Sequence, residues 1–364
     1  MTAAPGTGLL GFDHLEFYVS DAQLAAYFYR TAFGFEPLMY AGPETGVPDR
    51  LSILVGVGSV RLLLTSAVHH ESPVARVVAK HGDGVKRVAF RVTDVDAAFR
   101  HAVAGGAEVL EPPHVDIVGA HAVKSATVRA FGHIEHSFVS REQGDIGAFP
   151  SAIALAPKPP LGDDCDIFAI DHLAVCLPPD GLQPQVDWYN RVLGLEVVSE
   201  QNLRTETTGM NSKAIAGAHF AVKFALQEPA PGKRKGQIEE FIELFRGPGV
   251  QHAGYLTSNI VATARRLRSY GVSFLPVPDW YYESLHERVG DPGIPLEVLR
   301  DLRILVARDE TGLLYQSFTK PIHSVPTYFS EVIERRGSTG FGADNVKALF
   351  GAIEREQTRR EPGP

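Results

Sequence analysis

Cysteine is scarce in this 364-residue chain: there are two, Cys165 and Cys176. That excludes a disulfide-stapled scaffold. Cys176 lies in an apolar run and reads as a small buried hydrophobe, which points to a reducing compartment. An apolar run of membrane-spanning length is also lacking. Met1 to Gly11 does not show the basic stretch and apolar core of a secretory signal. The expectation is a cytoplasmic protein with no membrane partner. Positive charge is not in excess either, since 35 Lys and Arg face 43 Asp and Glu for a net charge of −8. This argues against a nucleic-acid surface, and Lys233-Arg234-Lys235 reads as a solvated loop.

What is present is an ordinary globular composition, 44% hydrophobic and 21% charged, over a length that can fill two domains. The chain repeats itself. Phe12-Asp13-His14-Leu15 opens one half and Ile170-Asp171-His172-Leu173 the other. Each is followed by an amphipathic helix pattern that ends near a glycine, Gly34 or Gly194. Gly84 to Phe90 matches Gly249 to Tyr255 in the same way. Each half thus holds two strand-helix-strands units, and the reading is a duplicated α+β protein. Its predicted parts are residues 1–150, a linker over 151–166, and residues 167–364. The last part ends in a helix from about Asn345 to Arg359, capped by Asp344, with Val346, Leu349, Phe350 and Ile353 on one face.

Three strings in the second half each set one metal ligand among apolar residues. Strand alternation puts His172 beside Ile170 and Ala174, His252 beside Val250 and Gly254, and Glu331 beside Phe329 and Ile333. A carboxylate on such a face is costly unless paired or metal-bound. Glu334 points the other way, so Glu331 is the choice. Two histidines and a carboxylate form the ligand set of a non-haem Fe(II) oxygenase, with open positions for substrate and O2. A lone strand histidine is more often a hydrogen-bonded core residue; the case rests on three together. The first half has Arg87 where the second has His252, and no evident counterpart of the strand that carries Glu331. His14 therefore reads as structural and the first half as a non-catalytic platform.

At these residues the chain resembles the 4-hydroxyphenylpyruvate dioxygenase and 4-hydroxymandelate synthase family. The matching strings are Gly249-Val250-Gln251-His252, Tyr281-Tyr282, Phe318-Thr319-Lys320-Pro321, Gly340-Phe341-Gly342 and Glu354-Arg355-Glu356. The resemblance implies two vicinal-oxygen-chelate domains of the glyoxalase and extradiol type, built from repeated βαβββ units, plus a C-terminal gating helix. It places Fe(II) on His172, His252 and Glu331. It places substrate contacts on Ser212, Gln237, Gln251, Phe318, Phe329, Phe341 and Asn345, with Gln227 and Val346 as further walls. The implied partners are an aryl 2-oxo acid and O2, and the implied assembly is a homo-oligomer.

The family divides by product. Gln227 and Val346 replace the Asn and Phe usual in homogentisate-forming members, and Val346 removes a wall that would hold the substrate ring. A displacement of about 1 Å decides such outcomes, so the expectation is 4-hydroxymandelate. Homogentisate is the alternative, favoured by Phe318-Thr319-Lys320-Pro321 and Gly340-Phe341-Gly342. An extradiol catechol dioxygenase and a metal-free binding module are further readings. The module leaves a buried His, His, Glu set without a reason.

Overall fold

The computed structural model of the chain describes residues 7–118, 121–141, 147, 149–159, 161, 165–205, 207–323 and 325–360. The tail at 361–364 lies outside the described residues. The first half runs β1 (Leu9–Tyr18), α1 (Ala22–Phe33), β2 (Glu36–Ala41), β3 (Arg50–Val57), β4 (Val60–Ala67) and α2 (Pro73–His81). It continues with β5 (Gly84–Val92), α3 (Val95–Ala104), β6 (Val109–Val118), β7 (His121–Phe131) and β8 (Ile134–Arg141). A short β9 (Ile153–Ala154) in the expected linker pairs with β2, so this connection adds a strand to the first sheet.

The second half repeats the order: β10 (Ile167–Cys176), α4 (Leu182–Leu193), β11 (Glu196–Arg204), β12 (Gly209–Ala216), β13 (Lys223–Ala230), α5 (Gln237–Phe245), β14 (Gly249–Thr257) and α6 (Ile260–Ser269). Three short helices follow, α7 (Asp279–Glu283), α8 (Leu285–Val289) and α9 (Leu296–Asp301). Then come β15 (Leu305–Arg308), β16 (Leu313–Phe318), β17 (Phe329–Arg336) and α10 (Ala343–Arg360). The helix expected from Asn345 starts at Ala343, so Asp344 lies in its first turn and does not cap it.

Local chemistry explains the boundaries. Asp21 starts α1 by accepting from the Gln23 and Leu24 amides. Gly34 and Gly194 end α1 and α4 with φ of 74° and 66°, a left-handed turn that costs glycine little.

The two sheets share one topology. The second is ordered β11-β12-β13-β10-β14-β17-β16-β15, and the first, read from the other end, is β9-β2-β3-β4-β1-β5-β8-β7-β6. Each half is thus two βαβββ units. The strand expected to be missing from the first half is present: β8 lies parallel to β5 as β17 lies parallel to β14. Ser137 pairs with Ala89 where Glu331 pairs with Gly254, so the position survives and the ligand does not. This is why the strand was hard to see.

One large apolar cluster takes in both halves. Phe224 meets Phe12 and Phe90 across the junction at ring distances of 6.1 and 6.3 Å. Beside them His136 and Tyr189, both fully buried, share a hydrogen bond of 2.9 Å between Nε2 and Oη. Burial lowers the His136 pKa to about 3, so the ring is neutral and its Nε2 needs that partner. Tyr189→Phe is expected to destabilise the protein by about 1–3 kcal/mol, the cost of a buried polar group left unpaired. A shifted urea midpoint with an unchanged slope would show it; an unshifted midpoint would refute the role.

Candidate metal centre and its cavity

Three neighbouring strands build the centre. Cross-strand pairing sets His172 of β10 and Glu331 of β17 on either side of Gly254 in β14. His252 lies two residues before that glycine, on the same face of β14. Gly254 has to be small: a Cβ there would stand 2.9 Å from His172 Cε1 and 2.7 Å from Ile333 Cδ1. The expected alternation along β10 is interrupted, because a bulge inserts Asp171 between Ile170 and His172. Bulges re-aim side chains, and here Asp171 and His172 are both buried.

The ligating atoms of His172, His252 and Glu331 lie within 4.8 Å of one another, and all three side chains are buried. Glu331 Oε2 stands 3.2 Å from His172 Nε2 and 3.5 Å from His252 Nε2. Neither approach is aligned as a hydrogen bond, so this oxygen is a buried acceptor without a donor. A divalent cation between two imidazole nitrogens and a carboxylate oxygen would satisfy all three, so the donor set fits a metal ion. The other oxygen, Oε1, accepts from Gln316 Nε2 at 2.7 Å.

Electrostatics agree. Burial alone would raise the Glu331 pKa, yet His172 and His252 hold it low. Burial likewise works against a charged His172, and Glu331 and Asp171 override it and push its pKa up. For His252, burial prevails and lowers the pKa. The site therefore favours an ionised carboxylate facing two imidazoles, a set that suits a bound cation.

A cavity opens from these residues. Of the expected substrate contacts, Ser212, Gln227, Gln237, Gln251, Phe318, Phe341 and Val346 line it. Two do not. Phe329 stacks on the His252 ring at 4.7 Å and fixes its plane. Asn345 is fully buried and donates to Gln316 Oε1 at 2.8 Å, while Tyr281 Oη donates to its Oδ1 at 2.6 Å. Asn345 is thus a support reaching Glu331 through Gln316, because its amide is already occupied.

The sequence reading missed Ser199, Gln201, Met210, Ala214, Ala225, Gln316 and Leu349, which also line the cavity. Strand pairing would have found some of them. Gln201, Ser212 and Gln227 form one row across β11, β12 and β13, and Ser199, Ala214 and Ala225 form the next. Gln237 ends in a buried amide oxygen without a partner, a second unsatisfied group on this wall.

Comparison with known proteins places the chain. Residues 11–127 and 169–297 match the Glyoxalase/Bleomycin resistance protein/Dioxygenase superfamily. The 4-hydroxyphenylpyruvate dioxygenase of Danio rerio is 39% identical, over 96% of this chain and 91% of its own. That of Yarrowia lipolytica is 38% identical, over 96% and 93%. A triple mutant of 4-hydroxymandelate synthase from Streptomyces coelicolor superposes with a TM-score of 0.87 at 34% identity, covering 98% of this chain and 100% of its own. With a shared fold and such identity along nearly its whole length, the chain belongs to the family of 4-hydroxyphenylpyruvate dioxygenases and 4-hydroxymandelate synthases, and is a non-haem iron dioxygenase.

Proposed function

We propose that His172, His252 and Glu331 hold Fe(II) and that the protein oxidatively decarboxylates and hydroxylates 4-hydroxyphenylpyruvate with O2, releasing CO2 and homogentisate. The observation that carries this is the orphaned Glu331 oxygen facing two imidazoles at the end of a cavity rich in glutamines. The product is a revision of the 4-hydroxymandelate expected from Gln227 and Val346. Relatives at 36–39% identity carry the dioxygenase name, and they outweigh two wall substitutions. The mandelate outcome remains the second reading, favoured by Val346 in the cavity wall.

The bound iron would supply the redox chemistry that couples O2 to loss of CO2. The protein's own part is placement. Gln316 fixes one oxygen of Glu331, which leaves the other for the metal. The partnerless Gln237 amide offers a polar anchor to the substrate. Phe318 and Phe341 give aromatic surface for its ring. The triad is at most 5% exposed, so bulk water is kept from the reacting groups.

Phe341, Val346 and Leu349 bring α10 and the segment before it into the cavity lining, which makes this part of the chain a gate for the substrate. The first half acts as the platform. Its equivalents of the triad are His14, Arg87 and Ser137, and Arg87 is committed to Glu135 at 2.9 Å.

Two outcomes test the proposal. Under anaerobic conditions, Fe(II) at a hundredfold excess over its Kd should stabilise the folded chain by about 2.7 kcal/mol, seen as a higher melting temperature. Glu331→Gln should lose most of that gain; full retention would remove Glu331 from the metal. With Fe(II), ascorbate and 4-hydroxyphenylpyruvate, homogentisate should dominate the products. Dominant 4-hydroxymandelate would overturn the reading in favour of the second one. In either case Val346→Phe should lower the mandelate share about tenfold, equal to ~1.4 kcal/mol between competing barriers.

A further inference from the structure

We propose that Asp171 is a positioning residue for His172, setting its tautomer and ring angle, and that Lys223 and Arg335 hold Asp171 in place for this task. The inference rests on the reading of His172 as a metal ligand. Asp171 is the extra residue of the β10 bulge and is only 3% exposed. Its Oδ2 stands 3.0 Å from His172 Nδ1. An ionised carboxylate only accepts hydrogen bonds, so the imidazole proton sits on Nδ1. The Nε2 lone pair is then free to point at the metal position, 3.2 Å from the orphaned Glu331 oxygen.

The carboxylate is itself tied down. Arg335 donates from Nε to Oδ1 at 2.8 Å and from Nη2 to Oδ2 at 2.9 Å. Lys223 donates from Nζ to Oδ1 at 2.7 Å. Two planar groups in a fork contact have little rotational freedom, so Asp171 cannot turn without losing all four bonds. Lys223 also lies 5.9 Å from the Phe341 ring, which stands edge-on to His172 at 5.6 Å. One lysine thus supports both the ligand's anchor and the ring that covers the ligand.

The first half provides a control within the same molecule. Its β1 has the same bulge, with Asp13 inserted before His14. Asp13 Oδ1 stands 2.7 Å from His14 Nδ1, and Arg141 Nε donates to Oδ1 and Oδ2 at 3.1 and 3.0 Å. Arg61 takes the strand position of Lys223 and acts on Asp13 electrostatically. In this half the clasp joins β1 to β8 across β5 but ends in no ligand set. Fold support is therefore common to both clasps, and metal placement belongs to the second alone.

The test uses the full chain, stripped of metal and reloaded with Co(II), whose visible absorption reports ligand geometry. Affinity is read by competition with a chromophoric chelator. Asp171→Asn and Lys223→Met should weaken Co(II) binding by about 10–100-fold and alter the band, as loss of groups behind a ligating histidine does. Asp13→Asn should lower stability yet leave affinity and band unchanged. His252→Ala should lose Co(II). If Asp171→Asn does not fold, Lys223→Met decides, because it loosens Asp171 by removing one of its two cations while Arg335 still bridges the strands. Wild-type affinity and band in the Asp171 and Lys223 variants, with His252→Ala still deficient, would overturn the inference and leave the metal site standing. An equal loss in Asp13→Asn would overturn it as well, by showing a general structural effect. Wild-type binding by His252→Ala would overturn the site reading itself.

Discussion

A carboxylate taken wholly out of water has to be balanced, and the second half of this protein is built around one. Glu331 is fully buried, with one oxygen bonded to Gln316 and the other facing two imidazole nitrogens without a hydrogen bond. An uncompensated ion in the interior is penalised by several kcal/mol. The surroundings keep that gap open and do not fill it. Gly254 clears the space between the ligands. Phe329 fixes the His252 ring, and Asp171 takes the outward nitrogen of His172. The chain Tyr281–Asn345–Gln316 stops the carboxylate from turning to relieve itself. Folding energy from the rest of the molecule holds three donor atoms in an arrangement that suits a cation.

The duplication shows how much of this is scaffold. Both halves keep the bulge, the Asp-His pair and the arginine that reaches across a strand. Such a bridge spans strands that do not touch, so it fixes the curl of the sheet, whatever the sheet holds. The divergence that bears on the site lies at the inward positions on the two following strands. In the first half Arg87 supplies a built-in cation, bonded to Glu135 and close to Glu16 at 3.6 Å. Charge there is balanced within the protein. In the second half the corresponding positions carry His252 and Glu331 and leave the balance to something bound.

How far the sequence reveals this follows from the same physics. The repeat was legible because helix ends and turns need particular residues, as at Gly34 and Gly194, whose left-handed φ excludes most side chains. The candidate ligands stood out because a carboxylate between Phe329 and Ile333 is too costly to bury without a cation or donors to meet it. The match of β8 to β17 was not legible because pairing, which defines it, depends on backbone, while Ser137 bears no mark of its history. The Asp171 bulge was hidden for a related reason: alternation assumes an unbroken ladder, and one inserted residue leaves no compositional trace. The contacts of Asn345 were hidden too: the resemblance implied a substrate contact, and the fold adds hydrogen bonds to Tyr281 and Gln316 that no sequence pattern marks.

The triad does not choose the product. Its geometry would be needed equally for either hydroxylation, so the choice lies in the contacts that restrain the substrate ring. Those contacts are unevenly distributed. The inner end of the cavity has Phe318, which meets the Phe329 ring at 6.4 Å and so belongs to a packed aromatic group. Val346 and Leu349 on α10 also line the cavity, together with Ala214 and Ala225 on the sheet. These are short aliphatic side chains that present little surface to a ring. Under the proposed function, a packed aromatic beside short aliphatic walls would leave the ring of a bound aryl 2-oxo acid room to tilt. On this wall a single aromatic substitution would change that tilt without touching His172, His252 or Glu331.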